Sequence, residues 1–105
     1  MIKYFLQGDY TVEGLKGLLK DGGSGREQAV KKLVASLGGT LDSMYFAPPT
    51  YFIVVNLPDP VSVAALSATV FASGAVTAGK SFEILTPTEM DEAAKKRPTY
   101  RAPGT

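Results

Sequence analysis

A chain of 105 residues has the length of one domain. Its 11 basic and 10 acidic residues leave a net charge of +1, which removes any electrostatic case for nucleic acid or an anionic membrane as partner. It contains neither cysteine nor histidine, which excludes disulfides, thiolate nucleophiles, the commonest metal ligands and the usual switch near neutral pH.

Residues 2–7 alternate, with Ile2, Tyr4 and Leu6 on one face and Lys3, Phe5 and Gln7 on the other. That is a strand with one well-buried face, ended by Gly8-Asp9. Thr11 is a candidate N-cap, and Val12, Leu15, Leu18 and Leu19 follow at helical spacing. Gly14 and Gly17 weaken this helix by about 1 kcal/mol each relative to Ala, but they also let another element approach closely. Asp21-Gly22-Gly23 interrupts it. A second start signal, the capping box Ser24–Glu27, leads into Val30, Leu33, Val34 and Leu37, and Gly38-Gly39 stops the run. The whole stretch reads as one long helical excursion with a glycine-rich kink.

Residues 40–46 alternate again, Leu41, Ser43 and Tyr45 against Asp42, Met44 and Phe46. A short loop, Ala47-Pro48-Pro49-Thr50, joins them to the apolar run YFIVVNL at 51–57. The pair reads as an antiparallel hairpin whose second strand is central and covered on both faces. Asp59 then fits an N-cap and Pro60 the first helical position. The helix over 61–73 is apolar nearly all round and rich in small residues, the composition of a closely packed helix covered on more than one side. Residues 76–85 form the last strand, with Val76, Ala78, Phe82 and Ile84 on one face and Lys80 interrupting it. Thr86-Pro87-Thr88-Glu89 starts a short terminal helix that stops before Pro98.

The order is therefore β-α-β-β-α-β with an extra C-terminal helix. This predicts an α+β, ferredoxin-like fold: an antiparallel sheet with helices gathered on one face. A hydrophobic share of 45% supports a core, but a domain this short buries a thin one, and self-association is a common way to cover the rest. Packing sheet against sheet in a homodimer would cover the opposite face. The expected domain spans 1–97, followed by a tail at 98–105 that is frayed or laid on a neighbour as an arm. MIKYFLQGDY meets charge too soon for a signal peptide or a membrane span, so a cytoplasmic location is expected.

The segments QGDYTVEGLKGLLKDGG, AVKKLVASLGGTLDSMYFA, ASGAV and LTPTEMDEA resemble the GYD-domain family, from about Tyr4 to Ala94. The resemblance implies a ferredoxin-like fold of the dimeric α/β-barrel kind. It implies no particular activity, because the family is functionally uncharacterised. The stretch that names the family falls on Pro48-Pro49-Thr50-Tyr51-Phe52, where only Tyr51 is retained; Pro49 replaces the motif Gly and Phe52 the motif Asp.

Without His or Cys, chemistry falls to Asp, Glu, Lys, Arg, Tyr, Ser and Thr. Tyr4, Tyr45 and Tyr51 lie on strands and are candidates to turn hydroxyls toward a small-molecule cavity between sheet and helices. The simpler reading makes them core or interface aromatics. Asn56 sits inside an apolar strand and needs a hydrogen-bond partner if buried. Lys80 is a candidate cavity lysine or, more simply, an edge-strand lysine. Asp9 and Asp42 would make an acid–base pair only if the fold joined them. Gly22-Gly23-Ser24-Gly25 has the look of an anion-binding helix start, with Arg26 beside it, but lacks the Walker lysine and reads more simply as a loop. The carboxylates are scattered, so neither a metal nor a cofactor is expected.

Two functions of different class compete. One is a homo-oligomeric binding or interaction module with a possible small-molecule ligand. The other is a cofactor-independent enzyme, oxygenase- or isomerase-like. Nucleic-acid binding through strand aromatics is opposed by the charge balance.

Overall fold

The computed structural model describes residues 1–105. The elements are β1 (Ile2–Tyr10), α1 (Val12–Ser36), β2 (Thr40–Ala47), β3 (Thr50–Leu57), α2 (Pro60–Ala72), β4 (Val76–Glu83) and α3 (Pro87–Lys95). The four strands form one antiparallel sheet in the order β2-β3-β1-β4. This is the ferredoxin-like βαββαβ arrangement with an extra C-terminal helix. No helix is long and apolar enough to cross a membrane.

The caps form largely where the sequence places them. The Gly14 N–H donates to Thr11 Oγ1 at 3.2 Å, and the Ser62 N–H to Asp59 Oδ1 at 2.8 Å. Thr86 and Glu89 close a reciprocal capping box at 2.9 and 3.2 Å. Ser24 does not start a new helix. The chain stays helical through it, the break is confined to Gly22 at φ 74°, and Glu27 reaches Lys31 one turn on. At φ 74° and ψ 168° this residue lies in a region open essentially to glycine alone, and two helical segments of α1 meet there at a kink.

The hydrophobic core lies between one sheet face and the helices. Tyr4, Leu6, Ile53, Val55 and Leu57 meet Val34 of α1 and Leu66 of α2, with Val30, Leu33, Met44, Val63 and Val70 packed around them. The core is thin, as the length implies: 12 of 105 residues are buried. β1 runs on past Gly8-Asp9 to Tyr10. Asp9 accepts a hydrogen bond from its cross-strand partner Thr50 at 2.7 Å, and the Tyr10 N–H donates to the Pro49 carbonyl at 2.7 Å. These partners extend a strand that local turn chemistry would end.

Two bulges shift the expected alternation. In β2 the register slips between Leu41 and Ser43. Leu41 therefore pairs with Val55 toward the helices, while Ser43 and Tyr45 join Val54 and Phe52 on the other face. In β4 the slip falls opposite Gln7–Asp9, with Ala78 at φ 51° and Gly79 lying under the Phe71 ring. Val76 thus faces the helices with Tyr10, whereas Lys80 and Phe82 pair with Gln7 and Phe5 on the open face. Strict period-2 alternation places Val76 and Phe82 on one side; the extra residue of the bulge separates them.

α2 is covered on one side only. Leu66 is buried and Val63 and Val70 are half-buried, while Val61 and Phe71 remain exposed. No residue of α3 is buried, and residues 98–105 are exposed throughout. The radius of gyration, 16.8 Å, exceeds the roughly 13 Å of a compact domain this size, in keeping with a C-terminal helix and tail that contribute no buried residue to the core.

Candidate functional site

The helices do not close fully over the sheet, and a cleft runs between α1 and α2. Its outer part, about 380 Å³, lies between Glu13, Gly17 and Asp21 of α1 and Thr69 and Ser73 of α2. Its floor is a small apolar pocket of about 60 Å³ walled by Val30, Leu33, Met44, Ile53, Leu66 and Val76. Tyr10, Arg26, Val70 and Val76 line both parts. A second opening, about 210 Å³, lies under the other edge of α2 between Leu6, Ser67, Phe71 and Gly79. Tyr51 and Leu66 line both this opening and the apolar floor.

Tyr51 reaches the cleft because its cross-strand partner is Gly8, whose missing side chain leaves room for the ring. The ring then tilts against Tyr10 at a centroid distance of 5.3 Å. Burial raises the Tyr51 phenol above its ordinary value, with Tyr10 and Asp9 adding to the effect, so the hydroxyl stays protonated at neutral pH. Arg26 projects from the second half of α1. Its guanidinium stands 3.8 Å from Asp21, too far for a hydrogen bond, and its Nε is screened from solvent without a partner.

The four candidate residues from the sequence do not come together. Tyr51 lines the cleft. Tyr4 is buried in the core away from it, with its hydroxyl unpartnered and its phenol raised, mainly by burial and further by Glu83 and Asp59. Tyr45 and Asn56 stand on the opposite sheet face. Tyr45 is 69% exposed, and Asn56 donates to Thr40 Oγ1 at 3.1 Å and Asp42 Oδ1 at 2.8 Å. Asp42 also pairs with Lys3, whose hydrogen bond holds the carboxyl below its usual range. Asp9 and Asp42 therefore sit at opposite ends of β3, one beside Thr50 and the other beside Asn56, and form no acid–base pair. Lys80 is exposed on the edge strand β4 at the rim of the smaller opening. No three carboxylates converge anywhere in the chain.

Sequence reasoning missed Tyr10, because ending the strand at Gly8-Asp9 removed it from the face it shares with Tyr4 and Leu6. The even-numbered alternation through residue 10 was the available signal. Arg26 was visible only as a weak anion-binding hint beside the glycines.

The open face of the sheet carries a second feature. Phe5 stacks on Phe52 at 6.1 Å and meets Phe82 at 6.3 Å, and Val54 and the exposed Tyr45 extend this apolar surface. Phe52 points to this face, away from the cleft.

A four-stranded antiparallel sheet in the order β2-β3-β1-β4, with two helices on one face and an apolar opposite face, defines a ferredoxin-like α+β protein. Within that class, the GYD domain family model matches residues 4–94, and the chain belongs to this family. No curated protein matches the chain.

Proposed function

We propose that the protein works as a homodimeric small-molecule-binding module, its two open sheet faces packed together and the cleft between α1 and α2 left free for a ligand. The observation that carries this reading is the aromatic cluster of Phe5, Phe52 and Phe82 on a sheet face that no part of the chain covers. A central strand such as β3 is apolar on both faces, and only a second layer removes the outer one from water. Four strands of about eight residues offer a footprint of about 20 by 25 Å. That is short of the roughly 800 Å² per partner of a standard interface. The exposed Leu85 and Met90, which follow β4 into α3, would supply further apolar area.

Binding is favoured over catalysis by the groups that face the cleft. Tyr10, Tyr51 and Arg26 bring hydroxyl and guanidinium donors to it, and Glu13 and Asp21 stand exposed at its mouth. A cofactor-independent oxygenase- or isomerase-like reaction would need a base held beside bound substrate.

Native mass spectrometry of freshly purified protein tests the reading. A dimer that Phe52→Glu converts to a folded monomer is the expected result. A wild-type monomer at micromolar concentration would refute it. Denaturing the same sample and searching for a released small molecule then asks whether the cleft was occupied.

A further inference from the structure

We infer that the cleft selects small monocarboxylates with an apolar tail, the acid group held by Arg26 and the tail on the apolar floor. The inference rests on the small-molecule reading of the cleft and specifies its ligand.

Arg26 is the only cation lining the two adjoining parts of the cleft, and it borders both. A guanidinium offers five donors in a planar fork, and none of those on Arg26 is hydrogen-bonded. The Nε–H is the informative one. It is out of contact with solvent and has no acceptor, an arrangement that costs free energy while the site is empty. A carboxylate presented edge-on to Nε and one terminal nitrogen would satisfy both donors at once, the bidentate geometry to which this side chain is suited.

What surrounds the guanidinium sets the rest of the ligand. On its inner side lie Val30, Leu33, Met44, Ile53 and Leu66, a pocket of about 60 Å³ with no charged group other than Arg26 itself. That is the space of about two water molecules at liquid density, enough for the end of a short alkyl chain or part of a ring. On its outer side, Glu13 and Asp21 place two carboxylates at the mouth. One guanidinium can balance one carboxylate, while the two carboxylates, Asp21 already 3.8 Å from Arg26, repel a phosphate dianion or a dicarboxylate about twice as strongly as a monoanion. The outer part, about 380 Å³, lies in the usual range for small-molecule sites.

The test is a titration of the intact protein with hexanoate and benzoate, against hexanamide, benzamide and inorganic phosphate, followed by ¹H–¹⁵N spectra that include the arginine Nε–H signals. The acids should bind, with the Arg26 Nε–H moving on saturation, and the matched amides should bind about tenfold or more weakly, as expected for loss of a charge-assisted pair. Arg26→Met should abolish the preference for acid over amide, and Arg26→Lys should keep part of it. Arg26→Met removes a screened Nε–H that has no partner and only a loose, part-exposed pairing with Asp21, so its stability should stay close to the parent's. If it does not fold, the Nε–H response and Arg26→Lys decide the question.

Equal affinity for acid and amide, with an unmoved Nε–H, would overturn the carboxylate assignment while leaving a small-molecule cleft in place. Preference for phosphate over the acids would overturn it as well. If no organic probe binds, the inference fails. Xenon or benzene then separates the two readings: shifts at Leu66 and Val70 would keep the cleft as a binding site, and their absence would remove it too.

Discussion

Gly14 and Gly17 lie one turn apart on α1, and the same substitution at each should act in opposite directions. At Gly17 an added Cβ meets nothing within 4 Å. Gly17→Ala therefore gains helix propensity and loses unfolded-state freedom, a stabilisation of about 1 kcal/mol. At Gly14 the helix rests on the chain after α2. The Thr11 N–H donates to the Ala75 carbonyl at 3.0 Å, and the Thr11 hydroxyl donates to the Gly74 carbonyl at 2.8 Å. A Cβ at Gly14 would collide with that Ala75 carbonyl oxygen and approach Tyr10 Cδ1 to 3.0 Å. The obstacle is backbone, which no rotamer change relieves. Overpacking costs about 1–3 kcal/mol, and more where backbone must shift. Parting Thr11 from the 74–75 segment would also weaken an N-cap worth about 1 kcal/mol. Set against the propensity gain, Gly14→Ala should lose about 2 kcal/mol, so the two variants should differ by about 3 kcal/mol. Thermal unfolding reads this directly, at about 4–8 °C per kcal/mol for a domain near this size. Urea midpoints at unchanged m-value check that the native state is the one affected. Variants that agree within 1 kcal/mol, or a Gly14→Ala protein more stable than its parent, would refute the close approach.

Tyr4→Phe should hold or raise stability, by up to about 1 kcal/mol, because it keeps the buried ring and deletes a hydroxyl that lacks a partner. A loss above 1 kcal/mol in urea unfolding would mean the hydroxyl is satisfied. Stability should also form a plateau across neutral pH. Asp42, Asp59 and Glu89 are held low by hydrogen bonds from Lys3, from the Ser62 N–H and from the Thr86 N–H respectively. The folded protein thus binds these protons less tightly than the unfolded chain. Their contribution is present above about pH 4 and is lost as pH falls through the depressed folded values. Tyr4 and Tyr51 are raised, so their contribution is present below about pH 10 and is lost as pH rises through the folded values. With no histidine, midpoints measured from about pH 5 to 9 should stay level. A sigmoidal step near pH 6.5 would contradict this assignment.

Local signals in the chain determined the elements and their order. Alternation in β1 and the apolar run of β3, the Thr11, Asp59 and Thr86 caps, and the short Pro48-Pro49 connection each act within a few residues, so each is readable without a partner. The order β-α-β-β-α-β then left few sheets to build, and the apolar run of β3 marked it as a central strand, although within the chain only its helix-facing side is covered. What only the tertiary structure decided were the relations between distant residues. Whether Gly8-Asp9 ends a strand depended on Thr50 and Pro49, forty residues on. Which way Leu41, Lys80 and Phe82 face depended on bulges that local period-2 patterning does not encode. The cleft itself assembles Tyr10, Arg26, Tyr51 and Val70 from four elements. None of these residues is unusual in its own neighbourhood. A site of this kind is a property of packing geometry, and it becomes visible only when the sheet brings its strands into register and the helices settle across them.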